Sequence, residues 1–238
     1  MTAGTTTSDT EPQPRSPLSR ERVLRAAVAV ADESGIEALT MRRVADRLDA
    51  EAMSLYHYVT NKGDLLDGVV DMVAREVNDA VERIDAPTAG AAWKSAARLR
   101  ILAARQVFLR HPWAPGVFQS RTNTPPAVLR YLDALLGIMR DGGINYGVGH
   151  HAMHALGSRA LGFTQELFNP NAGAGAGDEP PADALAGMAE MFPHLTGMVL
   201  EAVHDDPDST LGWCDDQAEF EFGLDLILDG LDRLRATD

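Results

Sequence analysis

Apolar residues in this chain recur at intervals of three and four, and that periodicity restricts it to helices. The clearest instance is DQAEFEFGLDLILDGLDRLR, where Phe220, Leu224, Ile227, Leu228, Leu231 and Leu234 fall at helical spacing. The same spacing runs from Trp93 to about Arg110, stopped by His111-Pro112. It resumes in a segment opened by Thr124-Pro125 and closed by Gly142-Gly143, with proline early and glycine late, and again from Tyr146 to Phe168. No β-rich alternating run and no internal repeat stands out, so an all-α fold is expected.

The N-terminal third divides into shorter pieces. Residues 1–18 are rich in Thr, Pro and Ser and read as a disordered arm. Ser19 is a helix cap for a segment that Gly35 ends, with Val23, Ala27, Val30 and Ala31 on one face. Thr40 caps a second helix, with Val44 and Leu48 directed inward, and a break follows at Asp49-Ala50. The stretch AMSLYHYVTNK then predicts a third short helix, and Asn61 with Asp64 caps a fourth, rich in Leu and Val, that ends before Pro87. Three short helices with a tight break before the third read as a helix-turn-helix. The expected division is 1–18 arm, 19–66 helix-turn-helix, and 67–238 for the rest. Within that remainder, 169–181 is Gly/Ala/Pro-rich and reads as a mobile loop, followed by a broken helical region over 182–204.

AMSLYHYVTNK places Tyr56, His57 and Tyr58 side by side, and consecutive helical residues lie about 100° apart, so they cannot share one buried face. With Leu55 packed inward, Met53, Ser54, Tyr56, His57 and Tyr58 point outward. These are short hydrogen bonders, a thioether suited to thymine methyls, and rings with polar tips that suit base edges and phosphates. Lys62 stands at the start of the fourth helix, where free N–H groups already favour an anion.

Charge supports a local rather than a global nucleic-acid surface. The net charge is -14, yet residues 1–62 carry 8 basic against 9 acidic groups. Such a chain does not coat nucleic acid indiscriminately, but a near-neutral module can meet DNA through a few placed cations. Arg15, with Arg20 nearby, suits an arm reaching a minor groove, or else a solvated tail. The single cysteine, Cys214, excludes an internal disulfide. With no signal-peptide pattern and no apolar run of membrane-spanning length, a cytoplasmic protein without a membrane partner is expected.

The segment GIEALTMRRVADRLDAEAMSLYHYVTNKGDLL resembles the DNA-binding half of the tetracycline-repressor (TetR) family, over about residues 19–70. AWKSAARLRILAARQ and FEFGLDLILDGL are similar to landmarks of that family's ligand domain. The resemblance implies that Thr40, Arg42, Ser54, Tyr56, Tyr58 and Lys62 contact DNA, and that Ala52, Met53 and His57 occupy variable recognition positions. It also implies a C-terminal ligand-binding and dimerisation domain. There the final helix and the Tyr146–Phe168 helix join their copies in a four-helix bundle, with Gly157, Ala160 and Gly162 permitting close approach. One departure is Asp49, where the family commonly has glycine; Asp tolerates the left-handed backbone better than most residues.

Arg100, Phe108, Trp113, Phe118, Arg121, Leu135, Met139, Met153 and Leu156 are candidate cavity residues, with ordinary core packing as the alternative. Arg100 and Arg121 point to an anionic or carbonyl-bearing ligand, or else to pairing with surface acids. By the resemblance, Phe118, Arg121 and Gln165 stand where tetracycline-binding members have a His, a Thr and a Glu, so a metal–tetracycline chelate is not expected. His150, His151 and His154 form HHxxH, but Ala152 and Met153 fill the middle and no carboxylate completes a catalytic zinc pattern. No metal, no cofactor and no enzymatic activity are expected. The sequence thus predicts a homodimeric transcriptional regulator, a repressor released from a pseudo-palindromic operator by a small molecule. A helical small-molecule-binding protein without DNA function is the alternative.

Overall fold

The computed structural model describes residues 17–85, 90–162, 187, 189–202 and 216–235, and every regular element among them is helical. Nearly all of the expected arm, the 169–181 loop, Arg15 and Gln165 lie outside the described residues. The chain divides into two compact units between Val69 and Val70.

The first unit is built on capped helices. Helix α1 spans Arg20–Ser34; the Ser19 hydroxyl accepts from the Arg22 N–H, and Gly35 ends the helix at φ 79°. Helix α2 spans Met41–Leu48, with the Thr40 hydroxyl accepting from the Arg43 N–H, and Asp49 terminates it in the left-handed conformation at φ 51°. An Ala at Asp49 would lose the side chain that makes this region tolerable. Helix α3 is Ala52–Leu55, and α4 runs over Lys62–Glu82. Val23, Ala27, Val30, Leu39, Val44, Leu55, Val59, Leu65 and Val69 are buried and form this unit's core.

In the second unit α5 is Trp93–Arg110, α6 Ala114–Ser120, α7 Pro126–Asp141, α8 Tyr146–Gly162, α9 Pro193–Ala202 and α10 Asp216–Arg235. Trp93, Ala97 and Ile101 of α5 meet Leu135 and Met139 of α7, Ala152 and Leu156 of α8, and Phe220, Leu224, Leu228 and Leu231 of α10. Each such Leu or Phe contributes about 1.5–3 kcal/mol over its exposed state. Ion pairs set the register of α5 on α10: Lys94 with Asp229 at 2.6 Å, and Arg98 with Asp225 at 2.7 Å and Glu221 at 2.6 Å. Partly exposed pairs of this kind add little stability and act mainly on geometry.

Three local expectations need correction. The third helix is only one turn long, and Tyr56, His57 and Tyr58 continue it through tighter bonds to residues three positions back, with the Tyr58 N–H donating to the Leu55 carbonyl at 2.9 Å. Leu48 is half-buried, and Ala45 takes the inner position beside Val44. Helix α6 was not expected at all; Pro115 at its second position was its one sequence signal.

Two glycines of the α7 region test the packing. A Cβ on Gly142 would come within 2.2 Å of the Trp93 ring, which is buried, whereas one on Gly137 meets nothing within 4 Å. Gly142→Ala is expected to cost about 1–3 kcal/mol through overpacking. Gly137→Ala is expected to stabilise by about 0.5–1 kcal/mol, because it relieves a mid-helix glycine. Thermal melts of the two variants check both signs.

Candidate nucleic-acid interface and ligand cavity

The first unit presents one polar surface built from the α2–α3–α4 turns. Leu55 is 0% exposed and Val59 is equally buried, and these two anchors fix which side of the YHY run faces out. Met53 is 74% and Tyr56 44% exposed; His57 and Lys62 are exposed, and Ala52, Ser54 and Tyr58 are half-buried. Thr40 and Arg42 are exposed at the start of α2, although the Thr40 hydroxyl is already occupied as a cap. The Ser54 hydroxyl donates to the Glu51 carbonyl at 2.6 Å, which leaves its oxygen able to accept.

Asp64 organises the approach to α4. Its N–H donates to Asn61 Oδ1 at 2.9 Å, its Oδ2 accepts from the Thr60 N–H at 2.8 Å, and Arg20 donates to its Oδ1 at 2.6 Å. Arg20 also donates to the Tyr58 carbonyl at 2.6 Å. The hydrogen bond from Arg20 holds the Asp64 carboxyl below its ordinary 3.8, against the opposing effect of burial, with further help from Thr60. Sequence reading placed Arg20 near the N-terminal arm; in the structure its guanidinium is bonded within the fold. The network ties the start of α1 to the turn that displays Lys62.

The second unit contains an apolar cavity of about 100 Å³. Ala74 and Val77 of α4, Ala104 and Phe108 of α5, and Phe118 of α6 form part of its wall. Val128, Tyr131 and Leu132 of α7 and Gly157, Ala160 and Leu161 of α8 complete it. Phe108 and Phe118 meet edge to face with centroids 5.7 Å apart. Beside the wall, α4 is held by polar contacts. Asn78, which is buried, donates to the Ala127 carbonyl at 2.9 Å, and Glu76 accepts from Arg110 and bonds His111 Nε2 at 3.0 Å. Burial alone would raise the Glu76 carboxyl; the bonds from Arg110 and His111 outweigh it and hold the group below its ordinary 4.5.

The nine residues expected at a cavity separate. Phe108 and Phe118 are on its wall. Leu135, Met139 and Leu156 are buried in the α5–α7–α8–α10 core, and Met153 packs against it. Trp113 is buried against the His111 ring, with centroids 5.9 Å apart. Arg121 ends α6 and Arg100 lies half-buried on α5. The wall residues that sequence reading missed are small or aliphatic, so their spacing matches that of core residues; Tyr131 alone carried a distinguishing chemistry. His150, His151 and His154 are exposed, with the His150 and His154 rings 4.7 Å apart. Among the described residues no group of three or more His, Cys, Asp or Glu side chains could hold a metal ion. No helix of the described residues is long and apolar enough to cross a membrane.

Residues 23–69 match the profile for bacterial regulatory proteins of the tetR family, and residues 86–235 match the tetracyclin repressor-like C-terminal domain. The chain therefore belongs to the TetR family of bacterial regulatory proteins. It is 36% identical over 131 residues to the HTH-type transcriptional repressor DrrR1 of Streptomyces coeruleorubidus, covering 55% of this chain and 47% of that one. It is 28% identical over 222 residues to the tetracycline repressor protein class C of Escherichia coli, covering 92% and 93%. Among solved structures, apo ActR from Streptomyces coelicolor superposes with a TM-score of 0.68 at 26% identity, covering 93% and 98%. The chain spans about half the length of the first curated relatives it matches, 47% of DrrR1 and 45% of an HTH-type regulator of Saccharopolyspora erythraea.

The depressed Asp64 carboxyl gives a pH signature. A group whose pKa falls on folding contributes stability above its unfolded pKa and loses it as pH falls through the folded one. Arg20→Gln should therefore lower the urea midpoint at neutral pH. The gap to wild type should close below the ordinary value of 3.8, as Asp64 protonates in both proteins. Urea midpoints measured across that window check it.

Proposed function

We propose that this protein is a ligand-responsive DNA-binding transcriptional regulator, a repressor that leaves its operator when a small molecule occupies the cavity of the second unit. The observation that carries the DNA reading is the exposed set of Met53, Tyr56 and His57 beside Lys62 at the capped start of α4. A large exposed thioether and ring on a one-turn helix have no packing purpose, yet they suit a major groove. Lys62 and the α4 N–H groups suit a phosphate. The names of relatives agree: DrrR1 is a transcriptional repressor and the class C protein a tetracycline repressor.

In this reading Thr40, Arg42, Ser54, Tyr56, Tyr58 and Lys62 position the protein on the backbone. Ala52, Met53 and His57 select bases. Two copies occupy successive major grooves of a pseudo-palindromic site. Phe222 and Leu226 of α10 are 64% and 55% exposed, on the side away from the Phe220–Leu224–Leu228 stripe, and they suit a face that a second copy covers. ActR has been solved in complex with actinorhodin, which supports a small-molecule effector for this chain as well. Ala74 and Val77, on the cavity wall, belong to the same helix as Lys62. A ligand releases DNA only if it binds the non-operator state more tightly.

Genomic fragments selected by the full chain should share a pseudo-palindromic site. Lys62→Gln should weaken binding uniformly across sequences and reduce the salt slope by about 1. Met53→Ala and His57→Ala should instead re-rank bases, by about 1–3 kcal/mol per position. Gel-shift titrations unchanged by all three variants would remove the site assignment. For the dimer, Leu226→Glu should halve the sedimenting mass toward that of the 25.6 kDa chain.

A further inference from the structure

We infer that the cavity of the second unit takes an amphipathic anion, an apolar body bearing one acidic oxygen group, and that Arg100 is the residue that receives that group. The inference rests on the proposed ligand role of the cavity and adds its chemistry. Arg100, Ala104 and Phe108 follow one another at four-residue spacing on α5, so Arg100 continues the wall stripe by one turn. Its guanidinium carbon lies 6.0 Å from the centroid of the Tyr131 ring, and Tyr131 is a wall residue. The cation thus stands at one end of a wall otherwise made of aliphatic and aromatic groups.

The other arginines of α5 are engaged. Arg98 pairs with Asp225 and Glu221, Arg105 bonds Gln217 at 3.1 Å, and Arg110 pairs with Glu76. Arg100 has no ion pair among the described residues, and its Nε is buried without a hydrogen-bond partner. Native structures satisfy nearly all buried donors, and a charged donor left without an acceptor is costly. A carboxylate or similar oxygen acid held at Arg100 would supply that acceptor with charge-assisted bonds. Burial, opposed by the Arg100 charge, raises the Tyr131 phenol and keeps it neutral, a hydroxyl donor beside the cation.

The test uses the full chain and two probes of one shape, 2-naphthoate and 2-naphthamide, followed by tryptophan fluorescence and calorimetry. Wild type should bind the carboxylate at least about tenfold more tightly than the amide. Arg100→Met should erase that preference while leaving amide affinity intact, and Arg100→Lys should restore part of it. Ala104→Phe, which fills the cavity, should abolish binding of both. Equal affinities in wild type would overturn the anion inference and leave the cavity reading standing. A preference that survives in Arg100→Met would overturn the role of Arg100. Failure of both probes to bind wild type, or binding that persists in Ala104→Phe, would overturn the cavity reading itself.

Discussion

One helix has to satisfy two cores. Helix α4 is continuous over Lys62–Glu82, and the division between the compact units falls within it. Leu65 and Val69 are buried in the first unit, while Val73, Ala74, Val77 and Val81 are buried in the second. The N-terminal end of α4 bears Lys62 and the Asn61–Asp64 cap, and its middle forms part of the cavity wall between the Asn78 and Glu76 contacts.

Polar interactions in this protein act mostly on position. Arg20 binds a carbonyl and a carboxylate at once, and so sets where the Thr60–Lys62 turn stands against α1. Arg98 and Lys94 set the sliding register of α5 against α10, whose apolar stripes alone would tolerate a shift of one turn. Arginine dominates the cations of the chain, which has only two lysines, and its planar fork suits such bidentate roles. Arg100 departs from this pattern, and the departure is what directs attention to the cavity.

Much of the architecture was legible in the residues. Ser19, Thr40 and Asn61 announce helix starts by offering an oxygen to an amide two or three positions on, and all three do so. The Trp93–Arg110 and Asp216–Arg235 helices follow from spacing and from Pro112. Helix α6 escaped because seven residues show less than two full turns of periodicity. The YHY run escaped in part because helix and tight turn place consecutive side chains in nearly the same directions. Of the nine cavity candidates, Phe108 and Phe118 stand on the cavity wall, whereas Leu135, Met139 and Leu156 lie in the hydrophobic core. Apolar residues on helices that face a void and those that face a neighbour have the same pattern, so no one-dimensional signal separates them.

The helical class, the caps, the left-handed stop at Asp49 and the family follow from the linear order of residues, because these depend on contacts within a few residues or on a motif read along the chain. Long-range packing set the pairing of Arg20 with Asp64, the meeting of α8 and α10 around Leu156 and Phe220, and the absence of an ion pair at Arg100 among the described residues while Arg98 and Arg110 have theirs. Those facts depend on which helix faces which, and periodicity gives a helix its apolar side without naming what that side will meet.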